Sequence, residues 1–459
     1  MSAFDVSIIM PNYNCEPYIA QSIRSALDSV GVTVEVVFVD DASSDGSVAV
    51  ARAMAEEFPG RVQVHSLEKN SGSAVARNMA LRHATGRWLA VLDSDDLMYP
   101  HRLAKLIAAA DAQGAAIIAD DLLTFYDDGK RAPHGLLGGK HAQGGHHVSL
   151  ADFVRGNPMY GPYGSLGYVK PMVRADAWRA SDVWYDPALR LAQDYDFLLR
   201  LLERGLDFYL LPEPWYFYRK HSSSNSAKLK RPQIEALKVA DLDFAKRIAG
   251  QADVEAARRE RHASLDRALA FDALVGAIKG RQWGTALAEM LRHPDAAALL
   301  ALPVRARLER FRRRRDINVQ DSASAAVLSS RRLDSAGRAH LDTIAHALRE
   351  KRLSPRLVQP FAPDAQTPDS FPAADLASFD QITLAGWERR GDRFVRVAQF
   401  PKSESAPEFE PLMVALSAYP ALDAVLIDTP QAAEAESFLI RPVEKRLAWD
   451  EQAGTLVAA

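Results

Sequence analysis

The stretch Trp88–Asp96 reads WLAVLDSDD. Five apolar residues run without a break into three carboxylates, Asp93, Asp95 and Asp96. A run apolar on both faces suits a parallel sheet covered by helices. Its abrupt polar end suits the carboxyl rim of such a sheet. Acids this close repel and raise one another's pKa unless a cation or a set of donors stabilises them. Something positive that the sequence itself does not supply is therefore expected at this rim.

The neighbouring sequence repeats the pattern. Apolar runs at Val6–Met10, Val34–Asp40, Val62–Leu67, Arg87–Asp93 and Ala115–Asp120 alternate with helical patterns at Pro17–Asp28, Asp45–Glu57, Gly72–Ala84 and Pro100–Gln113. This is the spacing of βαβ units and an open α/β sheet. SSDGS ahead of the second helix offers N-cap residues, and Gly31 and Gly86 stand where C-caps are expected. Each strand ends in polar residues: PNYN, DDASSDGS, EKNSGS and DSDD. In open α/β sheets ligands bind at the carboxyl ends of the strands, where strand order reverses. The polar load of this chain lies on that rim.

A chain of 459 residues exceeds one ordinary core, so more than one domain is expected. The net charge of −3 gives no global pull toward nucleic acid. One cysteine, Cys15, excludes an internal disulfide and fits a reducing compartment. The N-terminal residues lack a basic-then-apolar signal pattern. The longest apolar run near the middle, Ala296–Val304, is nine residues, well short of the roughly 20 a spanning helix needs. The expected location is cytoplasmic, with peripheral membrane attachment allowed.

Beyond the sheet, Asp127–Met159 is rich in Gly and His. His141, His146 and His147 match no familiar metal spacing and read as a surface loop. QDYDFLLRLLERG (Gln193–Gly205) reads as a helix closed by Gly205. The segment 231–317 is helical and ends with seven arginines in the eleven positions Arg305–Arg315. A solvated helix surface is the default for such a run. A helix docked on an anionic membrane is the alternative, while RNA binding lacks nearby aromatics for stacking. From 318 to 459 a β-α-β pattern, a Pro-rich link, a hairpin turning at Arg390–Asp392 and a strand at LDAVLID imply a small accessory α/β domain.

Asp93 and Asp95, alternating at a strand end, suit Mg2+ or Mn2+, which take few carboxylates and complete their shell with water and phosphate. The alternative is an acidic N-terminus for the helix starting near Pro100. PNYN, VDDASSDGS, NSGSAVARN, DSDD and QDYDFLLR nevertheless occur in one order. Together they resemble the GT-A glycosyltransferases of family 2, over about Val6–Ser226, so that 1–230 is the expected catalytic domain.

The resemblance implies roles position by position. Pro11 and Tyr13 line the nucleobase; Asp40 and Asp41 follow, Asp41 bonding the base. Gly72, Arg77 and Asn78 border the nucleotide, Asp93 lies near the ribose and metal, and Asp95 holds the ion. His221, in YRKH, completes the metal shell, and Asp194 is the general base. Gln193 departs from the pattern, standing where an acid usually precedes the base. The implied activity is inverting transfer from a UDP-linked nucleotide sugar to a saccharide or lipid-linked saccharide acceptor. The competing readings are a sugar nucleotidyltransferase, which would want a Gly-rich phosphate loop that PNYNCEPY lacks, and a non-catalytic nucleotide-sugar binding module.

Overall fold

The computed structural model describes residues 4–126, 134–161, 164–189, 192–221, 231–301, 324–328, 335–359, 379, 381–384, 387–390, 393–396, 424–427, 445–450, 453 and 455–458. They form two compact units. One holds 4–123 and 135–301; the other holds the later residues with Thr124–Tyr126 and His134.

The first unit opens with β1 (Val6–Asn12), α1 (Glu16–Leu27), β2 (Val34–Asp40), α2 (Ser47–Glu57), β3 (Val62–Ser66), α3 (Ser73–His83) and β4 (Trp88–Val91). There follow β5 (Leu97–Met98), α4 (Arg102–Gln113) and β6 (Ile117–Ala119), then β7 (Leu122–Tyr126) and β8 (His134–Gly135), both divided between the two units, and β9 (His146–His147). The unit continues through α5 (Leu150–Arg155), β10 (Met172–Arg174), α6 (Ala175–Ser181), α7 (Gln193–Glu203), β11 (Phe208–Leu210) and β12 (Tyr216–Lys220). Its main sheet has the order β3-β2-β1-β4-β10-β6-β11-β9.

β1 pairs in parallel with β2 on one side and β4 on the other, so strand order reverses at β1. All residues of β1, β2 and β4 are buried, as their uninterrupted apolar runs require. The register matters for function. Asn12 sits opposite Asp40, and the Leu92 N–H continues the ladder to the Ile9 carbonyl (3.2 Å). The polar ends of three strands are thereby delivered to one place.

Two caps differ from expectation. Gly86 caps no helix: a Cβ there would lie 2.5 Å from the Ser7 backbone nitrogen, so it is a close-approach glycine between strand and loop. Gly31 does adopt a left-handed φ of +79°, but three residues beyond the actual C-cap, Asp28. The N-cap of α2 is Gly46, whose N–H is met by the Glu16 carboxylate at 2.8 Å. Gly205, at φ +82°, ends α7 as read from the sequence.

The segment from 231 packs into the same unit rather than standing apart. It contributes α8 (Arg231–Arg247), α9 (Ala252–Lys279), α10 (Trp283–Arg292) and α11 (Pro294–Ala297). Phe244, Ile248, Val254 and Ala257 join the apolar core that also holds Phe153 of α5 and Phe197 of α7. Between α8 and α9 the buried Asp241 meets Arg258 at 3.3 Å, Arg261 at 3.4 Å and His262 at 2.7 Å. Arg305–Arg315 lies outside the described residues.

The second unit carries β13 (Ser324–Leu328), α12 (Ser335–Glu350), β14 (Ser354–Gln359), β15 (Gln381–Leu384), β16 (Trp387–Arg390), β17 (Arg393–Arg396), β18 (Ala424–Ile427), β19 (Lys445–Asp450) and β20 (Thr455–Ala458). β13 and β14 are parallel, as the β-α-β pattern implied, and β16 pairs with β17 as the expected hairpin. Leu341, Ile344, Ala345 and Leu348 of α12 pack on Val327, Leu357 and Leu426.

Candidate active site

The rim is built from the ends of β1, β2 and β4, the start of α3 and the start of α7. At the end of β1, Asn12 donates to Asp40 Oδ1 (2.8 Å), and the Ser43 N–H donates to Asp40 Oδ2 (2.8 Å). Asp40 thus ties the β1 and β2 termini together. Pro11 is buried in the last part of β1. Tyr13, just beyond, is 46% exposed and so is a rim aromatic rather than a core one.

Asp41 is buried, and its two oxygens accept the backbone N–H groups of Ser71 (2.6 Å) and Gly72 (2.8 Å). It clamps the loop that opens α3, where Gly72 has φ +95°. Each oxygen keeps a second lone pair for a further donor. Asn78, expected beside the nucleotide, has both ends of its amide engaged elsewhere. It donates to the Tyr185 carbonyl (2.8 Å) and accepts the Tyr185 N–H (2.9 Å). Its amide latches the 185 segment to α3.

Asp93 and Asp194 are joined through two cations. Arg77 reaches Asp93 Oδ1 at 2.9 Å and Asp194 Oδ1 at 3.2 Å. Lys170 reaches Asp93 Oδ2 at 2.8 Å and Asp194 Oδ2 at 3.1 Å. Two acids and two bases alternate in a closed ring, and their charges cancel. Burial alone would lower the pKa values of Arg77 and Lys170. The carboxylates of Asp194 and Asp93 outweigh it, and both cations end above their ordinary values. Burial would raise Asp93, but Lys170 and Arg77 hold it below the usual carboxylate range.

The positive partner demanded by the acidic knot is thus present within the chain. Sequence reading did not single out Lys170; its only signal was one cation in the otherwise apolar stretch YVKPMV.

The four residues after Leu92 do not continue the strand. β4 stops at Val91, and the Asp96 N–H turns back to the Asp93 carbonyl (3.0 Å). Strand alternation therefore does not govern DSDD, and Asp93 and Asp95 find different partners. Asp95 Oδ2 lies 2.9 Å from His221 Nε2. Asp96 is fully buried; burial, then Asp95 and Asp93, push its pKa well up. It accepts the Tyr216 hydroxyl (2.7 Å) and the Arg219 N–H (2.7 Å), which pins β12 to the turn. None of these acids caps α4, whose N-cap is His101.

The expected metal set Asp93, Asp95 and His221 is only partly assembled. Among the described residues no group of three or more His, Cys, Asp or Glu side chains is placed to hold an ion. Asp95 and His221 do converge, and an oxygen with an imidazole nitrogen suits Mg2+ or, better, Mn2+. They fit an ion whose remaining positions are filled by phosphate and water. Asp93, with both oxygens on cations, stands outside that pair.

Gln193 lies at the base of the ring. Its Oε1 accepts from Ser73 Oγ (2.7 Å) and Arg77 Nη1 (3.3 Å), and its Nε2 donates to the Leu189 carbonyl (2.8 Å). A glutamate could not make the last bond. Away from the rim, His141 faces His146 at 3.0 Å and His147 pairs with Asp207 at 2.8 Å.

Residues 7–163 match the family model Glycosyl transferase family 2. The succinoglycan biosynthesis protein ExoO of Rhizobium meliloti is 34% identical over 307 residues, 67% of this chain and 87% of that one. ExoU of the same organism is 32% identical over 315 residues, 67% of this chain and 89% of its own. The putative teichuronic acid biosynthesis glycosyltransferase TuaG of Bacillus subtilis is 44% identical over 100 residues, 22% of this chain and 39% of its own. Among solved structures, S. aureus TarS 1–349 in complex with UDP-GlcNAc aligns with a TM-score of 0.48 at 20% identity, covering 64% of this chain and 81% of that one. On the family model and the extent of likeness to ExoO, the chain belongs to glycosyl transferase family 2.

Proposed function

We propose that this protein is an inverting glycosyltransferase that moves a sugar from a UDP-linked donor to a hydroxyl of a saccharide or lipid-linked saccharide acceptor. It would act in the building of an extracellular polysaccharide, at the cytoplasmic face of the membrane. The likeness to two succinoglycan biosynthesis proteins supports the substrate class. The single observation that carries the chemistry is the ring of Asp93, Arg77, Asp194 and Lys170. It holds the carboxylate at the start of α7 in fixed relation to the acid at the end of β4.

In this reading Tyr13 and Asp41 receive the base, and Pro11, Asp40 and Gly72 shape the wall beneath it. Mg2+ or Mn2+, held by Asp95 and His221, supplies Lewis-acid stabilisation of the diphosphate when bound. Asp194 takes the proton from the acceptor hydroxyl as that oxygen attacks the anomeric carbon. A single base working opposite the leaving group inverts configuration, so an α-linked donor yields a β-linked product. Arg77 and Lys170 keep Asp194 oriented.

The test is UDP release from a panel of UDP-sugars with Mn2+, with and without saccharide acceptors. Acceptor-dependent release with one donor supports the reading. Tight UDP-sugar binding with no turnover on any acceptor would reduce the protein to a binding module.

A further inference from the structure

The loop between α5 and β10 carries two exposed tyrosines, Tyr160 (37%) and Tyr168 (44%). No other large apolar side chain is exposed among the described residues from Gly135 to Lys220. Tyr168 lies beside the candidate base. It precedes by two residues Lys170, whose ammonium is 3.1 Å from Asp194 Oδ2, and two residues of chain span at most about 7 Å. Its neighbour Gly167 packs on α7 itself: a Cβ there would lie 2.9 Å from Tyr195 Cβ. The Gly167 N–H donates to Asn157 Oδ1 at 2.6 Å, which ties the two arms of the loop together.

Tyr160 is held by its backbone. Its φ of +54° lies in the left-handed region, which a bulky residue adopts only under strain, and strain of this kind gathers at ligand-binding positions. The preceding Met159 is pinned on α9 through both backbone groups. Its N–H donates to Ser264 Oγ (3.0 Å), and its carbonyl accepts from Arg267 Nη2 (3.5 Å). The Tyr160 ring stands edge-on to Phe271 of the same helix, with centroids 5.5 Å apart and planes at 77°. α9 also sets the Arg261 guanidinium 4.1 Å from the centre of the Tyr195 ring. Both tyrosines are thereby fixed relative to the start of α7.

The chemistry selects a sugar. A lipid or protein partner would bury large aliphatic side chains, and among the described residues of this stretch none is exposed. A pyranose with equatorial hydroxyls presents faces of C–H bonds, which suit the electron-rich face of an aromatic ring, while the phenol hydroxyl reaches the sugar's polar rim. Tyrosine offers that area with only two side-chain torsions to immobilise.

We propose that Tyr168 and Tyr160 form the stacking platform for the acceptor, a β-linked oligosaccharide with equatorial hydroxyls. Tyr168 lies under the ring nearest Asp194 and Tyr160 under a ring farther along the chain. The proposal rests on the transferase reading above and narrows its acceptor.

The experiment measures binding of cellotetraose and laminaritetraose to the full chain with UDP present, by calorimetry and saturation-transfer NMR, beside binding of UDP alone. The expected result is binding of at least one tetrasaccharide, weakened about tenfold by Tyr168→Ala and retained by Tyr168→Trp. Tyr160→Ala should weaken the tetrasaccharide while leaving the corresponding disaccharide unaffected. Melting temperature and UDP affinity of the variants should match the wild type, which separates a lost platform from lost folding. Equal tetrasaccharide affinity in wild type and Tyr168→Ala overturns the proposal, as does an equal effect of Tyr160→Ala on both sugar lengths. A wild type that binds UDP but neither tetrasaccharide overturns the platform and leaves the donor reading standing. One that does not bind UDP overturns both.

Discussion

The Lys170 ammonium lies 3.1 Å from Asp194 Oδ2 and 2.8 Å from Asp93 Oδ2. One lysine from the segment before β10 thus bridges an acid of the β4 turn and an acid of α7. It completes with Arg77 a neutral ring of four charges, all mostly withdrawn from solvent. Removing one member leaves the others uncompensated, which sets the scale of the first prediction.

Lys170→Met should destabilise the catalytic unit by about 3–5 kcal/mol, the usual cost of breaking a buried pair by deleting one partner. Denaturant unfolding of wild type and variant measures it. An unchanged midpoint would mean that the ring is not maintained in solution.

Asp194→Asn keeps the shape and one acceptor oxygen but removes the proton acceptor. Turnover is expected to fall by about 10²–10⁴, the range typical of a general base. Donor affinity, read by calorimetry, should change little. A loss of only a few fold would place the base elsewhere.

Asp95→Asn and His221→Ala each remove half of the candidate ion pair. UDP affinity measured with Mn2+ should drop to its value in chelator for both. Affinity that responds to Mn2+ as in the wild type would sink the assignment of these two residues.

Gln193→Glu would restore the acid usual at this position in the family, yet it should harm this protein. A third carboxylate would face a ring already balanced, and the Leu189 carbonyl would lose its donor at 2.8 Å. The expected cost is about 1–3 kcal/mol for the unmet buried group, read as a lower unfolding midpoint at neutral pH.

Asp121 supplies the pH test. Burial raises its pKa to about 7, although Oδ1 accepts the N–H groups of Leu122 (2.7 Å), Leu136 (3.1 Å) and Leu137 (2.9 Å). An unfolded aspartate titrates near ~3.9. Between these values the folded chain holds a proton that the unfolded chain has released, so stability falls as pH rises through that window. Asp121→Asn retains the acceptor and cannot ionise. It should unfold alike at pH ~4 and be more stable than wild type at pH ~8, by up to about 4 kcal/mol. Parallel pH profiles for the two proteins would refute it.

The sheet was readable because burial on both faces forces continuous apolar runs, and Val6–Met10, Val34–Asp40 and Trp88–Leu92 have them. The rim was readable because polar residues cluster where those runs stop. Its internal wiring was not. Asp93 and Asp95 are two positions apart, and their separation into a cation-bound acid and a histidine-bound acid depends on β4 ending at Val91. Asn78 reads as a site residue, but its partner is the backbone of Tyr185, 107 positions away.

By itself the sequence determined the alternation of the longer strands and helices from β1 to β6, the rim that carries the chemistry and the acids placed there, since these follow from local apolar period and strand-end polarity; β8, β9 and α5 lie inside the stretch 127–159 that read as a loop. Tertiary structure decided which cation meets which acid. Arg77, Asp93, Lys170 and Asp194 come from four separate stretches, and only packing α3, the β4 turn, the segment before β10 and α7 around one point brings their charges within ion-pairing distance. Coulomb attraction acts over a few ångströms, and nothing in chain spacing encodes those distances.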